Sequence, residues 1–108
     1  MKMVKAIIRP ERSADILSSL SQAGFRAATR TSVLGRGKQQ GLRVGNVHYG
    51  EISKDVIIVV VENEDCDKVI EVITSAGRTG NGGAYGDGKI FIQDVERVVT
   101  ISSGAEEL

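Results

Sequence analysis

Two glycine-rich stretches carry the cations best suited to holding an anion. They are Gly35-Arg36-Gly37-Lys38 and Gly83-Ala84-Tyr85-Gly86-Asp87-Gly88-Lys89. Consecutive N–H groups in a glycine turn form a concave nest of donors, and a neighbouring ammonium adds a fixed charge, which is the chemistry of phosphate binding. The second stretch has the G-x-x-x-x-G-K spacing of a P-loop. Ile90 stands where that motif needs Ser or Thr, however, and a strand-forming run follows in place of a helix. The P-loop reading fails on this context, and what remains is a generic anion nest beside the plainer reading of an ordinary glycine turn.

Catalytic groups are scarce. His48 is the single histidine, and the single cysteine, Cys66, lies between Asp65 and Asp67, whose negative charges disfavour a reactive thiolate. Neither H-E-x-x-H nor G-x-S-x-G occurs. His48 with Glu51 is too thin a set for a metal centre. These absences predict a protein that is not an enzyme.

Charge and glycine are unevenly spread. Fourteen basic residues balance fourteen acidic ones, and there are only two phenylalanines, two tyrosines and no tryptophan, which argues against a nucleic-acid binder. Yet no carboxylate occurs between Asp15 and Glu51, where Arg26, Arg30, Arg36, Lys38 and Arg43 all fall. Gathered at one site, that stretch would attract a small anion; spread out, it is a solvated basic face. Eleven of the thirteen glycines lie in two windows, 35–50 and 77–88.

The elements that must position these windows follow from periodicity. The 108 residues suit one domain, 41% of them are hydrophobic, and no apolar run approaches the ~20 residues of a membrane span. The N-terminus lacks the pattern of a signal peptide, and one cysteine makes no internal disulfide, so a cytoplasmic location is expected. A first strand ends at Ala6-Ile7-Ile8, Pro10 opens a helix with Ile16, Leu20 and Ala23 on one face, and Gly24 stops it. A second strand is expected within 25–34 and a long loop over 35–54. The apolar run 56–61 is a third strand, Asp65 is placed to cap a second helix, and strands are expected at 90–92 and 98–101. The order gives an α+β, ferredoxin-like βαββαβ sandwich with a short extra C-terminal strand and both helices on one sheet face. The uncovered face predicts an oligomer.

Gly86-Asp87-Gly88-Lys89-Ile90-Phe91, shortly after Arg78-Thr79-Gly80, resembles the nucleotide-loop signature of the PII nitrogen-regulatory proteins. Gly35-Arg36-Gly37-Lys38-Gln39-Gln40-Gly41 resembles the segment that opens their T-loop, and Ala6-Ile7-Ile8-Arg9-Pro10 their first strand and helix start. The resemblance spans nearly the whole chain as one domain, 1–108, with a T-loop at 36–54 and a B-loop at 79–89. It implies a cytoplasmic trimer, homomeric or mixed with a sister subunit, that binds ATP or ADP between subunits. It also implies 2-oxoglutarate sensing with Mg²⁺ and ATP, and regulation of a nitrogen-metabolism target through the T-loop. On the matching positions, Thr29, Gly37, Lys38, Gly86, Asp87, Gly88 and Lys89 would contact nucleotide. Gln39 would help hold Mg²⁺ and 2-oxoglutarate, and Lys54 would pair with a 2-oxoglutarate carboxylate.

Departures from that pattern are specific. The T-loop is about four residues short and lacks the tyrosine string that is uridylylated in relatives, so that modification does not carry over to Tyr49. The B-loop has an insertion, Asn81-Gly82-Gly83-Ala84-Tyr85, and Thr100 and Ser102 stand where two phosphate-gripping arginines are usual. Short T-loop and long B-loop together resemble the nitrogenase-associated branch, which makes nitrogenase the favoured target. A ferredoxin-like trimeric adaptor or metal-binding protein without 2-oxoglutarate sensing is the alternative.

Overall fold

Alternation along the central strands decides which sheet face is covered. In chain order the elements are β1 (Lys2–Ile8), a 3₁₀ turn (Pro10–Arg12), α1 (Ser13–Gln22), β2 (Thr29–Gly35), β3 (Leu42–Val44), β4 (Val47–Tyr49) and β5 (Ile52–Val61). A second 3₁₀ turn (Asn63–Asp65), α2 (Cys66–Gly77) and β6 (Gly88–Asp94) complete them. The computed structural model describes residues 1–36 and 51–108 and the backbone of 42–44 and 47–49.

The main sheet runs β2-β5-β1-β6 with every neighbour antiparallel. This is the ferredoxin-like α+β arrangement read from the sequence. Val4, Ala6 and Ile8 of β1 and Ile57, Val59 and Val61 of β5 point to one side and are buried against Ile16 and Leu20 of α1 and Val69 and Ile73 of α2. Lys5, Ile7, Val56, Ile58 and Val60 alternate with them onto the opposite face, where none is fully buried. Close approach of the helices is built in: a Cβ on Gly77 would meet Ile16 Cδ1 at 3.4 Å. The Arg12 guanidinium donates to the Ala76 carbonyl through Nε (2.9 Å) and Nη2 (2.6 Å), tying the start of α1 to the last turn of α2.

One polar joint crosses the core. Asp55 of β5 is buried and accepts hydrogen bonds from the Ser13 hydroxyl at the start of α1 and from the Ser32 hydroxyl of β2, the latter at 3.2 Å. Each carboxylate oxygen thereby has a donor, which makes the burial tolerable.

Four expectations need correction. The 35–54 window is not one loop: it contains the β3–β4 hairpin, paired Leu42 with Tyr49 and Val44 with Val47, and the first residues of β5. β5 starts at Ile52 because Ile52, Ser53 and Lys54 pair with Gly35, Leu34 and Val33 of β2. Asp65 occupies the N-cap position of α2 without a side-chain cap bond, since the preceding 3₁₀ turn holds its backbone in a helical conformation (φ −93°, ψ −10°) instead of the extended one a capping side chain needs. The extra C-terminal strand over 98–101 does not form. There the chain turns back on itself, with Gly104 N–H donating to the Thr100 carbonyl (2.7 Å) and Thr100 N–H to the Ala105 carbonyl (2.9 Å).

Candidate functional site

β6 begins on a residue that only glycine satisfies. Gly88 has φ +113° and lies opposite Ile8, and a Cβ there would sit 1.8 Å from the Ile7 carbonyl oxygen. The loop between α2 and β6 therefore passes directly against β1, which presents Lys89 beside Ile7 on the helix-free face. Gly86, also at positive φ, leaves room for Arg9, whose Nη2 would be 3.0 Å from an added Cβ.

Asp87 organises this loop. It accepts from the Thr79 hydroxyl (2.6 Å), the Thr79 N–H (3.1 Å), the Ala84 N–H (2.7 Å) and Arg9 Nε (3.0 Å). The Thr79 hydroxyl, then the Ala84 amide, hold its carboxyl well below the usual carboxylate range. Arg9 also donates from Nη2 to the Tyr85 carbonyl at 2.8 Å, fastening the loop to the end of β1 at a second point. With its oxygens engaged inside the loop, Asp87 shapes the nest; as a carboxylate it does not attract a phosphate.

Lys54 reaches the same loop from β5, donating from Nζ to the Gly86 carbonyl at 2.7 Å. Arg36, one residue past β2, pairs with Glu51 at 3.6 Å, and both side chains are exposed. Together these elements enclose a cavity of about 640 Å³, within the usual range for small-ligand sites. Three cations line it, Arg36, Lys54 and Lys89, with Gly86 and Gly88 at its back and an apolar wall of Ile7, Ile52, Tyr85 and Phe91. A smaller cavity of about 280 Å³ lies against α2, lined by Ile73, Thr74 and Gly77, and shares residues 87–89 with it. The larger one can receive an anion at its cationic side and a flat apolar group at its wall.

The structure brings Lys54, Gly86, Asp87, Gly88 and Lys89 to one cavity. Thr29 lies elsewhere: it pairs with Ile58 at the start of β2, six residues from Gly35 at the cavity, or ~20 Å along a strand. Gly37, Lys38 and Gln39 lie outside the described residues. Arg9 and the aromatic lining of Tyr85 and Phe91 were not anticipated. Arg9 and Asp87 are 78 residues apart, and no spacing rule joins them. Among the described residues no group of three His, Cys, Asp or Glu side chains could hold a metal ion, and no helix is long and apolar enough to cross a membrane.

The sequence that folds into this arrangement, an antiparallel four-stranded sheet with a glycine loop and cations at one end, is similar to known sequences. The chain matches the family described as Nitrogen regulatory protein P-II over residues 1–105, and it belongs to that family. It is 48% identical over 108 residues to a "Nitrogen fixation nifHD2 region GlnB-like protein 1" of Methanosarcina barkeri, all of each chain being covered. A "Nitrogen fixation nifHD region GlnB-like protein 1" of Methanothermobacter marburgensis is 45% identical, again over the whole of both chains. "Nitrogen regulatory protein P-II 2" of Methanothermobacter thermautotrophicus is 41% identical over 96% of this chain and 91% of its own. Members of the family are regulators that act with target proteins in nitrogen metabolism, and a role in nitrogen regulation follows for this chain.

Proposed function

We propose that the protein senses adenine nucleotide and 2-oxoglutarate at the 640 Å³ cavity and passes the result, through residues 36–54, to a nitrogen-metabolism target, with nitrogenase favoured. The observation that carries the reading is the convergence of Arg36, Lys54 and Lys89 on a glycine-backed cavity with an apolar wall. Phosphates suit the cations and the backbone donors of the nest, and a purine suits the wall. The printed names of the nif-region relatives support the choice of target.

Each residue has a part in this proposal. Lys89 supplies the fixed charge on the phosphates, and Gly86 and Gly88 let the backbone approach them. Asp87 keeps the loop in shape through its four donors. Lys54 exchanges the Gly86 carbonyl for a carboxylate of 2-oxoglutarate. Gln39, Gly37 and Lys38 join the site from the segment outside the described residues. Mg²⁺ would be held chiefly by ligand oxygens with Gln39, a donor set of hard oxygens that suits it, and it supplies charge neutralisation when bound. Thr29, too far from the cavity of its own chain, meets the nucleotide held by an adjacent copy. The helix-free face around Ile7, Val56 and Ile58 packs at the centre of a trimer, whether of identical chains or mixed with a sister subunit.

Calorimetry with ATP, ADP and 2-oxoglutarate, singly and combined with Mg²⁺, tests the reading. ATP and 2-oxoglutarate are expected to tighten one another by the same factor, because linkage is reciprocal, and ADP to support 2-oxoglutarate poorly. Lys89→Ala is expected to weaken ATP at least about tenfold, the value of one charge-assisted contact. Binding of 2-oxoglutarate that is indifferent to ATP and Mg²⁺, or absent altogether, would leave an adaptor in place of a sensor.

A further inference from the structure

The three cations of the cavity are not equally available. Among the described residues Lys89 has no ion-pair partner, Lys54 is engaged with a neutral carbonyl, and Arg36 is engaged with a carboxylate, that of Glu51. Glu51 is the first acid after Asp15, so the long acid-free stretch ends at the one carboxylate that reaches the cavity's arginine. The contact is long at 3.6 Å, and its members are 67% and 59% exposed, the geometry of an ion pair that contributes little and yields to a better acceptor. A polyphosphate is such an acceptor, because its oxygens match the fork of a guanidinium.

We infer that Arg36 is an anion-binding residue of this cavity and that Glu51 is its internal competitor: a polyphosphate entering the site takes Arg36 from Glu51. The inference rests on the nucleotide reading above and adds a residue and a restraint to it. Arg36 adds a planar, two-pronged cation to the point charges of Lys54 and Lys89 at the cavity. Glu51 sets a threshold, since any anion must outcompete a tethered carboxylate before it gains the guanidinium. Weak or singly charged anions fail this test, and a chain of phosphates passes it.

A double-mutant cycle on the full chain, read by calorimetry with ATP, decides the matter. Arg36→Gln is expected to weaken ATP about tenfold, the loss of one charge-assisted contact. Glu51→Gln is expected to tighten it about threefold, by removing the competitor. In the Arg36→Gln background the Glu51→Gln gain should vanish, because the competition has no object. A gain of equal size in both backgrounds would mean that Glu51 acts only through its field on the cavity, and the inference falls. No gain in the wild-type background overturns it too. Both residues are exposed, and unchanged melting temperatures of the variants check that binding alone has moved. If ATP fails to bind the wild type, the same cycle is run with inorganic tripolyphosphate. An intact cycle then keeps Arg36 and Glu51 in these roles and discards the nucleotide, whereas no binding of either anion discards both.

Discussion

The two β–α–β halves of the molecule share a plan and differ in how the chain leaves the helix. After α1 the exit is short. Gly24, at φ +98°, reverses the chain, the Phe25 N–H reaches back to the Leu20 carbonyl at 2.8 Å, and β2 begins at Thr29. After α2 the exit takes residues 78–87, most of them exposed, and it is organised by Asp87 in place of an apolar anchor. Each half donates to a carboxylate of the second: Ser13 and Ser32 of the first half meet Asp55 of β5 inside the core, whereas Arg9, just past β1, joins Thr79 and Ala84 on Asp87 near the surface. A short exit fixes the sheet, and a long, self-satisfied one leads into Gly86, Gly88 and Lys89 at a cavity. The difference separates framework from site within one repeated plan.

The contrast between the two exits is tested by substituting their glycines. Gly88→Ala is expected to be the most damaging change, costing about 3 kcal/mol or more, because a Cβ 1.8 Å from the Ile7 carbonyl forces the backbone apart as well as straining φ. Gly24→Ala meets nothing within 4 Å and carries only the strain of positive φ, about 1–2 kcal/mol. Melting curves that placed the two together would erase the distinction. Ser13→Ala is expected to cost about 1–3 kcal/mol, less than Gly88→Ala and in the range of Gly24→Ala, because it leaves one oxygen of buried Asp55 without its donor. Urea titration measures it, with an unchanged slope expected.

Asp87→Asn should have the least effect on global stability, since its loop is largely exposed, and it should show in pH dependence. The native carboxyl lies well below the ordinary aspartate value, so its contribution is complete above about pH 3.9 and is lost as the pH falls from there through the lower native value. The stability gap between wild type and Asp87→Asn is therefore expected to be widest near neutrality and to narrow in acid. A gap that stayed constant down to acid pH would show that the charge of Asp87 is not what organises the loop.

What the sequence discloses follows the range of the interactions. Helix α1, with Ile16, Leu20 and Gly24, and the run 56–61 are local patterns, and both are found where periodicity puts them. The β3–β4 hairpin is missed because three-residue strands among glycines carry no period. The run 98–101 is β-branched and still forms no strand, because strand propensity expresses fit to a half-buried sheet surface and the chain there turns through Gly104 instead. At the site, Lys89 and its glycines are legible as a nest, whereas Lys54 is legible only through the family resemblance. Arg9 is silent in sequence, its role being set by a contact across 78 residues.

The grip on Asp87 also bears on how the protein ages. Asp87-Gly88 is the kind of dipeptide in which a side-chain carboxyl closes onto the following amide nitrogen and the backbone is rewritten as isoaspartate. That cyclisation needs a carboxyl that is protonated and free to swing, and the bonds from Thr79, Ala84 and Arg9 deny it both conditions. Asn81-Gly82, exposed in the same loop, lacks this protection among the described contacts. Chemical wear is thus expected first on the inserted part of the loop, at Asn81, and last on Asp87.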